Sequence, residues 1–334
     1  MIYLGMTLRE ADASRAPPMT ESTMKSHLRA GFVLSLIAIA ALGATACGAR
    51  TSTSVTPPEY VALGDSFTAG VGIKPQATRF VPDGCRQSLL NYPHLVAREL
   101  AFLVFADASC GAARITDLNG SQPTNDGTNA PQFDRLSDET LYVSMSIGGN
   151  DAGYGDVVDT CLRNTDPDAT PCVDKFVTST GNQLIANAEA LEPELARAID
   201  RIRMRSSRAK IAVVGYPRML PPGGRGCGRN VGVSRADATV VNGWLAAINS
   251  ALRGAADSQG ATYVDLYEAS EGHDACKPRD ERWIEPGSGT DGADSFHPNE
   301  AGQQAAARAV ARTLEMLSGP SGDSGASSPT GTTR

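Results

Sequence analysis

The stretch Glu59-Tyr-Val-Ala-Leu-Gly-Asp-Ser-Phe-Thr-Ala-Gly70 constrains the fold more than any other part of the chain. Tyr60 to Leu63 is a short apolar run of the kind that forms a buried parallel strand. Gly64-Asp65-Ser66 breaks it at once, and the chain can then turn toward a helix. At the carboxyl end of a parallel strand, side chains face the crevice where ligands bind. A serine there has its hydroxyl presented. Alone, Asp65 and Ser66 would only cap a turn. A catalytic role requires a base, an orienting group and oxyanion donors from elsewhere.

The rest of the chain repeats the strand-then-helix pattern. Strands are expected at Leu103 to Ala108, Leu141 to Ile147, Ile211 to Val214 and Thr262 to Leu266. Helices are expected at Tyr92 to Leu100, through Leu184 to Ile202 with a break at Pro193, around Val241 to Leu252, and at Ala301 to Leu317. Strict alternation predicts an α/β fold of three layers, about five parallel strands with helices on both faces. Long segments follow the strands, at residues 70–90, 119–134, 154–176, 218–233 and 267–294. Gathered at one end of a sheet, such loops shape a pocket.

The ends of the chain read differently. Residues 1–23 are polar and mixed and read as an upstream start extension. Residues 24–47 hold a basic start and an apolar run from Gly31 to Ala46, the layout of a signal peptide. That run closes on Ala44-Thr45-Ala46-Cys47, which fits a signal-peptidase site and also a lipobox with Cys47 as the lipidated residue. Residues 48–58 form a polar linker, 59–318 one domain, and 319–334 a tail rich in Gly, Ser, Thr and Pro that is expected to be disordered. The expected location is the cell envelope, lipid-anchored through Cys47, or the exterior. A net charge of −7 argues against nucleic acid as a partner. Of seven cysteines, Cys47 is the odd one; Cys85, Cys110, Cys161, Cys172, Cys227 and Cys276 can pair in an exported chain. Nearest-neighbour pairing is the simplest of many connectivities. No Cys-x-x-Cys or His-x-x-x-His spacing appears, so neither a metal nor a cofactor is expected.

A serine hydroxyl needs a base to become nucleophilic. Beyond the export segment the histidines are His94, His273 and His297. His94 falls in an early helix and His273 in a turn-rich loop, whereas His297 stands in Asp294-Ser-Phe-His297-Pro298 just before the last helix. The three-residue step lets the Asp294 carboxylate reach one ring nitrogen and leaves the other for Ser66. The Ser66 and Gly111 N–H groups and the Asn150 amide all fall at strand ends, placed to hold an oxyanion. Phe133, Tyr154, Trp283 and Phe296 lie in the pocket loops and suit an acyl chain.

In order, Gly64-Asp-Ser66-Phe, the Gly111 segment, Gly149-Asn150-Asp151 and Asp294-x-x-His297-Pro resemble the four blocks of the SGNH (GDSL-type) hydrolases over about residues 59–317. Tyr92-Pro93, Gly272-His-Asp-Ala-Cys276 and Arg282-Trp283-Ile284 look like the secreted actinobacterial esterase and lipase branch. The resemblance implies a flavodoxin-like fold and the disulfides Cys85–Cys110, Cys161–Cys172 and Cys227–Cys276. It implies Ser66 as nucleophile, His297 as base, Asp294 as third triad member, and Ser66, Gly111 and Asn150 as the oxyanion hole. In part of that branch a backbone carbonyl replaces the acid; the Asp294 match predicts the fuller triad. The expected activity is carboxylester hydrolysis on a small-molecule or lipid ester by a monomer without cofactor. Acyl transfer to a sugar or lipid hydroxyl, or binding without catalysis, are the competing readings.

Overall fold

In the computed structural model, residues 59–319 are described, apart from 164, 165, 167, 225 and 226. The start extension, the signal segment with Cys47, the linker to residue 58 and the tail from residue 320 lie outside the described residues.

The apolar run opens the sheet as β1 (Tyr60–Gly64), every residue of it buried. A four-residue helix α1 (Ser66–Ala69) follows directly. Next come α2 (Tyr92–Glu99), β2 (Phe105–Asp107), β3 (Tyr142–Ser146), α3 (Gln183–Glu189), α4 (Glu192–Arg205), β4 (Lys210–Val214), α5 (Arg235–Ser258), β5 (Thr262–Val264) and α6 (Glu300–Ser318). The five strands are parallel in the order β2-β1-β3-β4-β5. The three-layer α/β expectation therefore holds, with the strand order of the flavodoxin type. Beyond it, only two-residue ribbons occur in loops among the described residues.

Strand alternation sorts the core into two layers. Val61, Leu63, Val143, Met145, Ile211 and Val213 face α4 and α5, which supply Leu195, Ile199, Ile202, Trp244, Ile248 and Leu252. Tyr60, Ala62, Ala212, Val214 and Val264 face α2 and α6, with Tyr92, Val96, Val310 and Leu314. Pro193 splits the long helical region as expected: it sits in the first turn of α4, where a missing N–H is harmless. Asn182, Ser234 and Asn299 cap α3, α5 and α6 with their side chains. Two strands are shorter than expected. Leu103, ahead of β2, is 96% exposed, and Asp265 ends β5 by capping a short helical turn.

The disulfides are Cys85–Cys110, Cys161–Cys172 and Cys227–Cys276, the pairs implied by the resemblance. The first ties the loop after α1 to the turn after β2, closing a loop with a sequence separation of 25. Replacing Cys85 and Cys110 together by serine should lower unfolding stability by about 3 kcal/mol, chiefly by freeing the unfolded chain. A denaturant midpoint measured beside the parent protein checks this, and an unchanged midpoint would contradict it.

Candidate active site

The sheet order reverses at β1, which has β2 on one side and β3 on the other. Ligands of such sheets bind in the crevice at that reversal, outside the strand carboxyl ends. Ser66 follows β1 there, the Cys110 turn follows β2, and Asn150 follows β3.

Ser66 is held by a tight turn. Asp65 N–H donates to the Ser146 carbonyl at 3.1 Å, and Asp65 Oδ1 accepts from Phe67 N–H at 3.0 Å, starting α1 on the serine. A Cβ at Gly64 would lie 2.6 Å from the Ser146 carbonyl oxygen, at a φ of +159°. Only glycine lets β1 run so close to β3 as it enters the turn.

His297 comes from the far end of the domain on a small two-stranded clamp. Glu285 N–H donates to the His297 carbonyl at 2.9 Å, and Phe296 N–H to the Glu285 carbonyl at 3.0 Å. The clamp is pinned by the buried Arg282–Glu285 ion pair at 2.7 Å and by Asn299 Nδ2 on the Arg282 carbonyl at 2.9 Å. His297 Nε2 lies 2.8 Å from Ser66 Oγ. Its Nδ1 lies 3.0 Å from the Ser295 carbonyl. A carbonyl only accepts, so Nδ1 carries the hydrogen and Nε2 is the free base toward the serine. Tyr154 Oη, 3.3 Å from Nδ1, donates to the Phe296 carbonyl.

Asp294 is not on the imidazole, contrary to the sequence expectation. Its carboxylate takes both ends of the Arg86 guanidinium, at 2.5 and 2.7 Å. Two facts explain the difference. His297 N–H closes a turn on the Asp294 carbonyl at 3.1 Å, which brings Ser295 rather than the Asp294 side chain beneath the ring. A full guanidinium cation also offers a carboxylate a two-point charged contact that a neutral imidazole cannot match. Partial burial pushes the Asp294 carboxyl up, yet the Arg86 hydrogen bonds and charge hold it below its ordinary value. Burial pushes the His297 imidazole below its ordinary value; the Ser295 carbonyl and the Asp294 charge oppose that shift without reversing it.

Gly111 also differs from expectation as a donor. Its N–H is spent on the Cys85 carbonyl at 2.9 Å. The next N–H, of Ala112, has no acceptor among the described residues, and Ala112 sits at a φ of +62°. Asn150 Nδ2 donates to the Ala113 carbonyl at 2.8 Å, so one amide hydrogen remains, while Asp151 accepts from Ile115 N–H at 3.1 Å. The Gly149-Asn150-Asp151 block thus seats the Cys110 turn. Neither Ala112 nor the Ser295 carbonyl carries a side-chain signature, and nothing in the sequence marks Arg86 as the partner of Asp294.

A cleft of about 330 Å³ opens beside His297, lined by Tyr154, Val158, Arg163, Asp294 and Ser295 among others. Of the four aromatic residues expected in the pocket, Tyr154 alone lines this cleft. Phe133 and Phe296 are buried in the core, and Trp283 stacks on His273 with ring centroids 4.1 Å apart. Among the described residues, no three His, Cys, Asp or Glu side chains group as a metal site would.

Residues 62–305 match the GDSL-like lipase/acylhydrolase family. The chain belongs to that family. It is a carboxylic ester hydrolase of the SGNH type. Lipase 2 of Streptomyces coelicolor is 33% identical over 291 residues, spanning 84% of this chain and 95% of that protein. An esterase of Streptomyces scabiei is 30% identical over 308 residues, spanning 81% and 89%. Among solved structures, an extracellular lipase of Streptomyces rimosus superposes with a TM-score of 0.61 at 27% identity, covering 76% of this chain and 98% of that one. A phospholipase A1 of Streptomyces albidoflavus gives 0.60 at 28%, with the same coverage.

For this hydrolase the charge arrangement sets the pH response. With His297 as the base, the acid limb of kcat/KM should lie below the ~6.5 of an ordinary imidazole, because burial disfavours the charged ring. Asp294→Asn removes the charge that favours the imidazolium, so the limb moves to lower pH; Arg86→Met removes an opposing cation and moves it up. Asp294→Asn should also lower kcat by less than about tenfold, against the ~10⁴ typical of a triad aspartate that holds the imidazole. Both follow from pH–rate profiles of the purified variants; an upward shift in Asp294→Asn or a downward one in Arg86→Met would contradict the arrangement.

Proposed function

We propose that this protein is an exported esterase or lipase that cleaves acyl esters through an acyl-enzyme, with Ser66 as nucleophile and His297 as base. The observation that carries the reading is the 2.8 Å contact of His297 Nε2 with Ser66 Oγ, with the other ring nitrogen fixed on a carbonyl. Ser66 Oγ attacks the ester carbonyl carbon as Nε2 takes its proton. The Ser295 carbonyl then faces the new imidazolium charge. The tetrahedral oxyanion is received by the N–H of Ser66, which starts α1, by the N–H of Ala112 and by the second amide hydrogen of Asn150. Collapse expels the alcohol with the proton from Nε2, and a water activated by the same nitrogen releases the acid.

Asp294 acts at one remove in this scheme. Its ion pair with Arg86 fastens the histidine loop to the loop that carries the Cys85–Cys110 bridge. The cleft is open to water: its rim includes Arg163 and Asp294, whose side chains are 59% and 35% exposed. That supports hydrolysis over transfer to another alcohol. Export rests on the apolar segment from Gly31 to Ala46 and on the three disulfides. It also rests on the likeness to an extracellular lipase. Lipidation of Cys47 would anchor the enzyme at the envelope.

Ser66→Ala should abolish hydrolysis of a p-nitrophenyl ester series, acetyl to palmitoyl, while circular dichroism stays that of the parent. Asn150→Ala should lower kcat on the order of 10²–10³-fold, the usual loss for one oxyanion donor. The chain length at which the parent peaks separates esterase from lipase. Turnover retained by the Ser66 variant would overturn the nucleophile assignment.

A further inference from the structure

We infer that Tyr216 is a positioning residue for the oxyanion side of the site, its hydroxyl locking the Gly148–Gly149 peptide, next to Asn150, onto Asp65 of the nucleophile turn. The inference rests on the assignment of Asn150 as an oxyanion donor.

Tyr216 follows β4 and is buried at 2% exposure. Its Oη accepts from Gly149 N–H at 2.9 Å and donates to Asp65 Oδ2 at 2.5 Å. The other Asp65 oxygen holds Phe67 N–H, on the residue after the nucleophile. One buried carboxylate therefore links the turn that bears Ser66 to the turn that bears Asn150, through a single phenol. Among the described residues, Gly149 N–H has no other acceptor.

The phenol is itself immobilised. Asn249, from α5, accepts from Tyr216 N–H at 2.8 Å and donates to the Tyr216 carbonyl at 3.0 Å. The Phe67 ring lies edge-on at 5.1 Å from the Tyr216 ring and 4.9 Å from that of His297. Close approach also explains the glycine: a Cβ at Gly149 would sit 3.2 Å from Tyr216 Oη. Burial pushes the Asp65 carboxyl up to about 7 even against the hydrogen bonds from Tyr216 and Phe67, which act to lower it. Tyr216 touches neither nucleophile nor base. Its effect on rate runs through the Gly148–Gly149 peptide, which leads into Asn150.

The test is a double-mutant cycle of Tyr216→Phe with Asn150→Ala, read as kcat and KM on a short p-nitrophenyl ester. Alone, Tyr216→Phe should lower kcat on the order of 10²-fold, as a misplaced catalytic group does. KM should stay within about twofold, since ground-state contacts are untouched. In the Asn150→Ala background the same change should lower kcat hardly at all. Equal losses in both backgrounds, with Asn150→Ala itself impaired, overturn this inference alone. An Asn150→Ala enzyme with parental kcat overturns the oxyanion assignment and this inference with it. Should Tyr216→Phe fail to fold, Gly149→Ala displaces the peptide from the hydroxyl while keeping every polar group. Parental kcat in folded Gly149→Ala overturns the inference, and a loss confined to the Asn150 background supports it.

Discussion

The hydrogen bonds that flank β1 set the geometry on which the site depends. β1 pairs with β2 on one side and β3 on the other, and the ladder continues past the strand ends: Cys110 N–H reaches the Gly64 carbonyl and Asp65 N–H the Ser146 carbonyl, each at 3.1 Å. Gln132 completes the pairing by bonding both the N–H and the carbonyl of Gly64, at 2.8 and 2.9 Å. Parallel pairing makes the strands stop at one level. The turns after β2 and β3 thereby lie on either side of the turn that bears Ser66.

The treatment of charge follows from burial. A carboxylate beside a buried imidazole would itself need desolvation, an expense that close pairing does not always offset. Here a backbone carbonyl orients the ring. The anion sits farther out on Arg86, at the solvent rim, where its field still favours the imidazolium. The histidine keeps a depressed pKa and a fixed tautomer together. Burial keeps the ring neutral, and the carbonyl keeps its free nitrogen toward Ser66.

Short strands with long excursions between them would leave the loops poorly determined by core packing alone. The disulfides address that: Cys85–Cys110 ties the segment after α1 to the turn after β2, and Cys161–Cys172 joins two short helical segments between β3 and α3. The Arg282–Glu285 pair and Asn299 do the same for the histidine clamp. Loop precision here comes from covalent and polar ties.

Ser66, His297 and Asn150 were legible as candidates because each is a distinctive side chain at a strand end or helix start, and the alternation of apolar runs marked the α/β class and the five strands. The even number of cysteines left the connectivity open, and it was the family resemblance that implied the three pairings found. The misreadings share one cause. Asp294 and Gly111 are the right residue types in the right places, but a sequence does not say which competing partner a group will take. Arg86, 208 positions from Asp294, wins the carboxylate, and the Cys85 carbonyl wins the Gly111 N–H. The groups found there instead, the Ser295 carbonyl on the imidazole and an Ala112 N–H with no acceptor among the described residues, belong to the backbone, which every residue carries. The sequence by itself determined the fold class, the order of the blocks and the candidate reacting side chains, since these rest on periodicity and residue chemistry. Only the tertiary structure decided which backbone groups and which cation complete the site, because partner choice depends on distances between segments far apart in the chain.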